Sequence, residues 1–225
     1  MCCDSQPSPP QPDCVTAMSV LEPRHCDLDD ATERYYDIHA EEYFRATATS
    51  DVRNLLAIAE AEIVRGGTIL DVGSGSGRDV DALNHLGFRC VGIDISFPLA
   101  RLSLRHFGVD VICGDMRMLP FRAGTFDGIW AVASLLHLPR AQLPTVLDAV
   151  NLLLKPGGLL ISSMKLGSGS ANERDGRSQT LVMPRWWIAL QQRAGLRTKM
   201  METVAEYRTS PARTVPWIVT VAERS

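Results

Sequence analysis

Apolar positions change their spacing along the chain, and the change separates two helical stretches from a long region of alternating elements. Helical spacing first appears over residues 29–48. A second helical stretch follows over residues 51–67, where Gly66 stands at the position at which a helix would end. Its apolar residues share one helical face: Val52, Leu55, Leu56, Ala59 and Ile63. These stretches predict helices before the first strand.

Short apolar runs then alternate with helical segments. The runs that predict strands are 68–73, 89–94, 109–113, 126–131 and 159–164. The segments that predict helices are 79–86, 96–106 and 141–154, the second with Ser96 as N-cap and Pro98 in its first turn. The strands lack a regular alternation of apolar and polar residues, which is expected when helices cover both faces of a sheet. Repeated strand–helix alternation predicts an α/β fold with a parallel, doubly wound sheet.

The last third of the chain has a different pattern. Turn residues at 155–158 close the preceding helix, and residues 167–178 are polar and predict a flexible loop. A helix is predicted from Pro184 to near Gly195. The strand-like segments 197–207 and 215–222 are joined by a short link, which favours a C-terminal antiparallel hairpin.

Length and composition indicate one domain with a sizeable core. The chain has 225 residues, of which 45% are apolar. Residues 1–27 contain five prolines and few apolar residues, so we predict a disordered leader followed by a single domain over residues 28–225.

Charge and hydropathy argue against two classes of partner. The net charge is −3 and no basic run is present, which disfavours nucleic acid. No apolar run approaches the roughly 18 residues of a membrane span. No secretory signal pattern opens the chain, which favours a cytoplasmic protein.

The six cysteines predict neither a disulfide framework nor a metal site. Cys90 and Cys113 lie in apolar runs and are typical of small buried side chains. Cys2, Cys3 and Cys14 lie in the leader, where no Cys-x-x-Cys spacing supports metal binding. A reduced, cytosolic protein without a metal is the better expectation.

The stretch "DVGSGSGRD", residues 71–79, is the first candidate for chemistry. Gly73, Gly75 and Gly77 fall within five positions at the end of a predicted strand. Glycine is entropically costly there, so its use indicates that something approaches the backbone closely at the start of the next helix. The alternative is a tight strand-to-helix turn that binds nothing.

Acidic residues at the next two strand ends favour the binding interpretation. Asp94 ends the second strand, 21 residues after Gly73, where an acid can bond ribose hydroxyls. Asp115 follows the third strand. Each also has a simpler explanation, as a charge at a helix N-terminus and as an ordinary loop aspartate. Three successive strand ends with groups suited to an adenosine nevertheless favour a nucleoside-containing cofactor.

The ordered set of motifs resembles the class I S-adenosylmethionine-dependent methyltransferases. The motifs are "ILDVGSGSGRD", "VGIDIS", "CGDMRMLPF", "FDGIWAVASLLHLP" and "LLKPGGLLISS". The resemblance covers about residues 31–222. It implies a Rossmann-like sheet of seven strands whose last strand is antiparallel, with S-adenosylmethionine as the cofactor.

The resemblance also implies roles for the first glycine loop. Its backbone would pass beneath the methionine part of the cofactor, and an acid at its start would help to hold the amino group. The residues concerned are Asp71, Gly73, Ser74, Gly75 and Gly77. For Arg78 two partners stay open, the cofactor carboxylate and the neighbourhood of Asp79.

Further roles follow from the later motifs. Asp94 would bind the ribose hydroxyls, and Ile95 would pack on the adenine. Asp115 would accept from the adenine amino group, and the Met116 amide would bond a ring nitrogen. Ala131 would offer its carbonyl near the cofactor amine.

Two other functions compete with methyl transfer. A nicotinamide-dependent oxidoreductase needs G-x-G-x-x-G, but Arg78 stands at the sixth position and Asp115 would have no role. A non-catalytic, cofactor-binding regulatory subunit is the second alternative.

The acceptor side is less defined. His137 is a candidate general base, with a capping or packing role as the alternative. Tyr36 and Tyr43 are seven residues apart and resemble an aromatic lid over the cofactor, with core packing as the alternative. One of Trp186 and Trp187 is expected to line the acceptor pocket. The short acceptor region, without an Asn/Asp-Pro-Pro-Tyr motif, favours an oxygen or nitrogen of a small molecule or short peptide.

Overall fold

The computed structural model describes residues 31–172, 177–204 and 215–225. The predicted leader, residues 1–27, lies outside the described residues together with its cysteines, so its disorder stays a prediction.

One sheet of seven strands organises the described part of the chain. Its strand order is β3-β2-β1-β4-β5-β9-β8, while β6 and β7 pair separately. The pairs on the β3 side of β5 are parallel, and β9 runs antiparallel to both of its neighbours. The strands are β1 (Thr68–Val72), β2 (Arg89–Asp94), β3 (Val111–Cys113), β4 (Phe126–Val132), β5 (Leu154–Lys165), β6 (Ser170–Asn172), β7 (Ser178–Thr180), β8 (Leu196–Val204) and β9 (Trp217–Arg224).

Helices cover both faces of this sheet, which explains why the strands are apolar on both sides. Two separate apolar clusters result, one containing Leu55, Leu83 and Trp130 and the other containing Leu147 and Leu190. The helices are α1 (Ala31–Ile38), α2 (Ala40–Thr47), α3 (Arg53–Glu62), α4 (Arg78–His85), α5 (Phe97–Phe107), α6 (Leu143–Leu153) and α7 (Pro184–Arg193), with a 3-10 turn at Leu135–His137.

The predicted fold class is confirmed. The sheet is doubly wound and mainly parallel, and the chain ends in the antiparallel β8–β9 hairpin. The start of α5 also follows the prediction, since the Ser96 hydroxyl accepts from the Leu99 amide and Pro98 stands in the first turn. Among the described residues, no helix combines the length and the apolar character that crossing a membrane requires.

Three local predictions need correction. The first helical stretch is divided at His39 into α1 and α2. The turn residues 155–158 lie inside β5, where the pairing with β4 skips from Leu154 to Leu159 and Gly157 has a φ of +75°. The predicted flexible loop contains paired strands, because β6 bonds to β7.

Candidate active site

Backbone hydrogen bonds tie the glycine loop after β1 to the end of β2. The amides of Gly73 and Ser74 both donate to the Ile93 carbonyl, at 2.8 and 3.2 Å. The Gly75 amide donates to Asp94 Oδ2 at 2.7 Å. Because both strands are parallel, their carboxyl ends meet at this edge of the sheet, and the loop lies across them.

A side chain at each glycine of this loop would meet a different neighbour. A side chain on Gly73, whose φ is +73°, would place its Cβ 2.5 Å from the Cβ of Ser134. At Gly75 the neighbour is the ring of Tyr43, 3.3 Å from the ideal Cβ position. At Gly77, whose φ is +75°, the neighbours are Ser103 at 2.7 Å and Val109 at 3.1 Å, so backbone conformation and packing both favour glycine there.

Asp94 is held rigidly at the end of β2. Its Oδ2 accepts from the Gly75 amide, and its Oδ1 accepts from the Ser96 amide at 2.9 Å. Burial raises the pKa of Asp94, and these two amides partly offset the effect because they stabilise the carboxylate.

Asp115 is paired with a residue that sequence reasoning missed. The Arg117 amide donates to Asp115 Oδ1 at 2.8 Å, and Arg117 Nε lies 2.9 and 2.7 Å from Oδ1 and Oδ2. Arg117 Nη2 completes an ion pair at 2.6 Å from Oδ2. The pairing orients the carboxylate at one wall of the cavity.

The segment after β4 supplies the opposite wall. Ala133 has a φ of +55°, an uncommon backbone conformation for a residue other than glycine. Its amide donates to Ser163 Oγ, in β5, at 2.8 Å. This conformation brings Ala133 and Ser134 to the cavity, whereas Ala131 lies buried within β4 and does not line it.

Side chains of α1 and α2 cover the cavity. Tyr36 Oη lies 2.9 Å from His137 Nε2 and accepts from Arg177 Nη1 at 3.1 Å. Its ring meets that of Tyr43 edge to face, with centroids 5.0 Å apart. Burial raises the pKa of the Tyr36 phenol, which therefore stays protonated over the physiological range.

The cavity brings most of the predicted site residues together. It is lined by nine of them, namely Tyr36, Tyr43, Gly73, Gly75, Asp94, Ile95, Asp115, Met116 and His137. It is also lined by Thr32, Glu33, Leu99, Arg117, Ala133, Ser134 and Leu138, which were not predicted. These belong to α1, to the start of α5 and to irregular segments after strands, where no short motif marks a residue as facing a ligand.

Five predicted residues do not line the cavity. Two of them are neighbours outside it, the buried Asp71 and the partly buried Arg78. Arg78 Nε lies 2.6 Å from Asp79 Oδ1, so of its two anticipated partners the structure shows Asp79. Asp79 Oδ2 accepts from Trp130 Nε1 at 3.0 Å. Asp71 lies beside this pair, and burial and the Asp79 charge raise its pKa well above the usual value. The other three are Ser74, whose hydroxyl points toward Gly92, together with Gly77 and Ala131.

The predicted tryptophan does not reach the cavity. Trp187 is fully buried and donates to Thr220 Oγ1 at 3.2 Å. Trp186 packs under the Arg140 guanidinium, 3.5 Å from its ring centroid. Among the described residues, no group of three or more His, Cys, Asp or Glu side chains is arranged to hold a metal ion.

This fold and cavity define an α/β domain with a candidate ligand site at the carboxyl edge of its sheet. Comparison with known proteins is more specific. Residues 70–162 match the family model of the methyltransferase domain. The comparisons support a class I S-adenosylmethionine-dependent methyltransferase domain in this chain, with S-adenosylmethionine as the cofactor. This finding favours methyl transfer over the nicotinamide alternative.

Relatives with different acceptors share this similarity. The chain is 38% identical over 105 residues to 24-methylenesterol C-methyltransferase 2 of Oryza sativa subsp. japonica, covering 43% of this chain and 28% of that protein. It is 33% identical over 127 residues to the 18S rRNA (guanine-N(7))-methyltransferase of Bos taurus, covering 53% and 45%. The chain thus spans less than half the length of these curated relatives.

A solved structure shares the fold over most of its length. It is the 1,6-didemethyltoxoflavin-N1-methyltransferase of Burkholderia thailandensis, with bound 1,6-didemethyltoxoflavin and S-adenosylhomocysteine. The TM-score is 0.71 at 20% identity, and the alignment covers 87% of this chain and 88% of the other.

The described residues fit the cofactor of this class. At the cavity, the hydroxyl of Ser134 is buried without a hydrogen-bond partner among the described residues. Buried polar atoms of this kind are costly unless something satisfies them. The glycine loop and Ser134 border the cavity, so a polar ligand there has groups to bond.

Gly73→Ala should destabilise the protein more than Gly87→Ala. Both glycines have positive φ, but nothing lies within 4 Å of a Cβ on Gly87. Gly87→Ala should therefore cost about 1–2 kcal/mol of unfolding free energy from the backbone alone. Gly73→Ala should cost roughly 1–3 kcal/mol more, because its Cβ overlaps Ser134. Denaturant unfolding measures both, and equal losses would contradict the close contact.

The unfolding free energy of the parent protein should fall as pH rises, and Asp71→Asn should remove part of that fall. Because the folded pKa of Asp71 is raised, the unfolded chain releases this proton first, and stability falls as pH rises from about 3.9 toward the folded value. Asp79, Arg78 and Asp94 surround the carboxyl and stay in the variant. Between pH 4 and pH 8, the unfolding free energy of the variant should therefore fall less with rising pH than that of the parent protein. Exposed Asp110→Asn is the control for replacing a carboxyl group by an amide at the surface.

Proposed function

We propose that this chain transfers the methyl group of S-adenosylmethionine to an oxygen or nitrogen atom of a small molecule or short peptide. One observation carries the proposal. The glycine loop, Asp94 and Asp115 converge on a single cavity, which Tyr36 and Tyr43 cover and at which His137 lies.

Each wall of the cavity has a proposed task. Asp94 is presented by two amides and binds the ribose hydroxyls. Asp115 and Met116, on the loop after β3, bind the adenine edge, and Ile95 packs against its face. The glycine loop carries the methionine part of the cofactor.

The cofactor, when bound, supplies a methyl group on a sulfonium that is already activated for transfer. The protein then has to align the acceptor and exclude water. Tyr36 and Tyr43 suit the second task because they extend from α1 and α2 across the cavity. Phe44, the neighbour of Tyr43, is the residue that anchors α2 in the core, since it is only 7% exposed. Because Phe44 packs in the core and Tyr43 lines the cavity, the lid interpretation of Tyr43 is supported.

His137 is the proposed acceptor-side residue. A general base is needed only if the acceptor arrives protonated, and imidazole is the side chain that titrates near neutral pH. Its Nε2 is engaged by Tyr36 Oη at 2.9 Å. Removal of an acceptor proton by Nε2 therefore requires Tyr36 to give up this hydrogen bond.

The size of the acceptor side supports a small acceptor. Among the described residues, this side is built by α1, the 3-10 turn and the neighbourhood of Arg177. One relative acts on 18S rRNA, so nucleic acid is the acceptor class against which the proposal must be tested.

Calorimetry with S-adenosylhomocysteine tests cofactor binding. The parent protein should bind, and Asp94→Ala should weaken binding by roughly 1–3 kcal/mol, the scale of a lost hydrogen bond to a charged group. Asp110→Ala, at an exposed position, should leave the affinity unchanged. Equal affinities for all three proteins would contradict the ribose role of Asp94.

A turnover assay tests the acceptor class. Methyl transfer from labelled cofactor is measured with a metabolite extract as the source of acceptor and, separately, with total RNA. Binding without turnover on either would favour the regulatory-subunit alternative.

Tyr43→Ala should mainly weaken ligand binding, whereas Phe44→Ala should mainly lower stability. Tyr43→Ala should weaken S-adenosylhomocysteine binding while leaving stability near that of the parent, because Tyr43 covers the cavity. Phe44→Ala should cost about 3–5 kcal/mol of unfolding free energy by emptying a core site. Denaturant unfolding and calorimetry on both variants give the comparison. A destabilised Tyr43→Ala protein with unchanged affinity would show that Tyr43 is a packing residue instead.

A further inference from the structure

Three nitrogen atoms of a single residue surround the carboxylate of Asp115. The Arg117 amide and Nε contact Oδ1 at 2.8 and 2.9 Å, and Nε and Nη2 contact Oδ2 at 2.7 and 2.6 Å. The contact forms within a tight turn, since the Met118 amide donates to the Asp115 carbonyl at 2.9 Å. The position of Arg117 is therefore set by local backbone geometry as well as by charge.

Arg117 uses most of the hydrogen-bonding capacity of this carboxylate. An ionised carboxylate has about four lone-pair sites, and a bidentate guanidinium occupies two of them. The Arg117 amide occupies a third site, on Oδ1. The Nε–H group is shared between Oδ1 and Oδ2, so three N–H groups face about four lone-pair sites and one acceptor site remains.

Both residues lie where a ligand can meet them. Asp115 and Arg117 line the cavity, although their side chains are only 6% and 18% exposed. Low exposure keeps water from competing for the remaining lone pair, so the direction of the carboxylate has a large effect on what can bind. A side chain held in this way can accept from one N–H group and from one direction.

We propose that Arg117 determines purine specificity, by fixing Asp115 so that the carboxylate offers a single acceptor to the 6-amino group of the cofactor. The inference rests on the proposed function, because it assumes that the adenine end of S-adenosylmethionine lies at Asp115. Arg117 acts through Asp115 and is a positioning residue. In a 6-oxo purine, an oxygen that can only accept hydrogen bonds would face the carboxylate of Asp115. Both groups would be buried without a donor, so binding of the 6-oxo purine is disfavoured.

The test compares two ligands on the whole chain. S-adenosylhomocysteine carries the 6-amino group, and S-inosylhomocysteine carries a 6-oxo group in its place. Calorimetric Kd values for both are measured with the parent protein, with Arg117→Met, which keeps length without charge, and with Arg117→Lys, which keeps charge without the fork. Exposed Arg122→Met is the matched control, on the same connection between β3 and β4.

The ratio of the two Kd values is the decisive quantity. In the parent and in Arg122→Met, the adenosyl compound should bind at least about tenfold more tightly. In Arg117→Met the ratio should fall to within about threefold of one, because Asp115 can rotate and is no longer directed, and Arg117→Lys should lie between.

Two results overturn the inference in different ways. In the first, Arg117→Met weakens the binding of both ligands equally and leaves the ratio of Kd values unchanged, so that Arg117 has only a structural role. If Arg117→Met does not fold, the same comparison is made with Arg117→Lys. If the parent protein binds neither ligand, the cofactor assignment itself fails and the inference falls with it. A thermal melt of each variant without ligand separates misfolding from loss of recognition.

Discussion

The buried carboxylate of Asp94 is the point on which the site depends. It accepts from the Gly75 amide after β1 and from the Ser96 amide at the start of α5. Ser96 in turn donates from its hydroxyl to Asp37 Oδ1, in α1, at 2.7 Å. One acid thus connects two strand ends and, through Ser96, the helix that covers the cavity. A change at Asp94 would therefore alter the loop and the cover as well as ligand contacts.

Electrostatics around this point favour a cationic ligand. Asp71, Asp79 and Asp94 are buried near one another, and burial raises the pKa of Asp71 and Asp94. Arg78 compensates Asp79 directly through their ion pair. A sulfonium or ammonium group nearby stabilises the ionised acids, since an opposite charge favours the charged form of a carboxyl group. The raised pKa values of the buried acids and the proposed ligand preference then have the same physical origin.

The cover of the cavity is an assembly of short, separate elements. Tyr36, in α1, contacts His137 after β4 and Arg177 before β7. The Arg177 guanidinium also packs over the ring of Tyr35, 4.2 Å from its centroid. The cover is thus joined by side-chain contacts between short elements, whereas the central sheet is joined by backbone pairing along its strands.

The sequence by itself determined an α/β fold with a doubly wound, mainly parallel sheet and the polar groups expected at three strand ends, because apolar runs, glycine spacing and acids at strand ends are local signals. Tertiary structure decided the rest. Arg78 pairs with Asp79, Ala133 and not Ala131 reaches the cavity, and the turn residues 155–158 are absorbed into β5. Arg117 stands two residues from Asp115, yet no motif says that its guanidinium folds back on that acid. The positions of Ala133 and of residues 155–158 depend on contacts between segments distant in the sequence, and the pairing of the two arginines depends on side-chain direction. Neither is given by residue order.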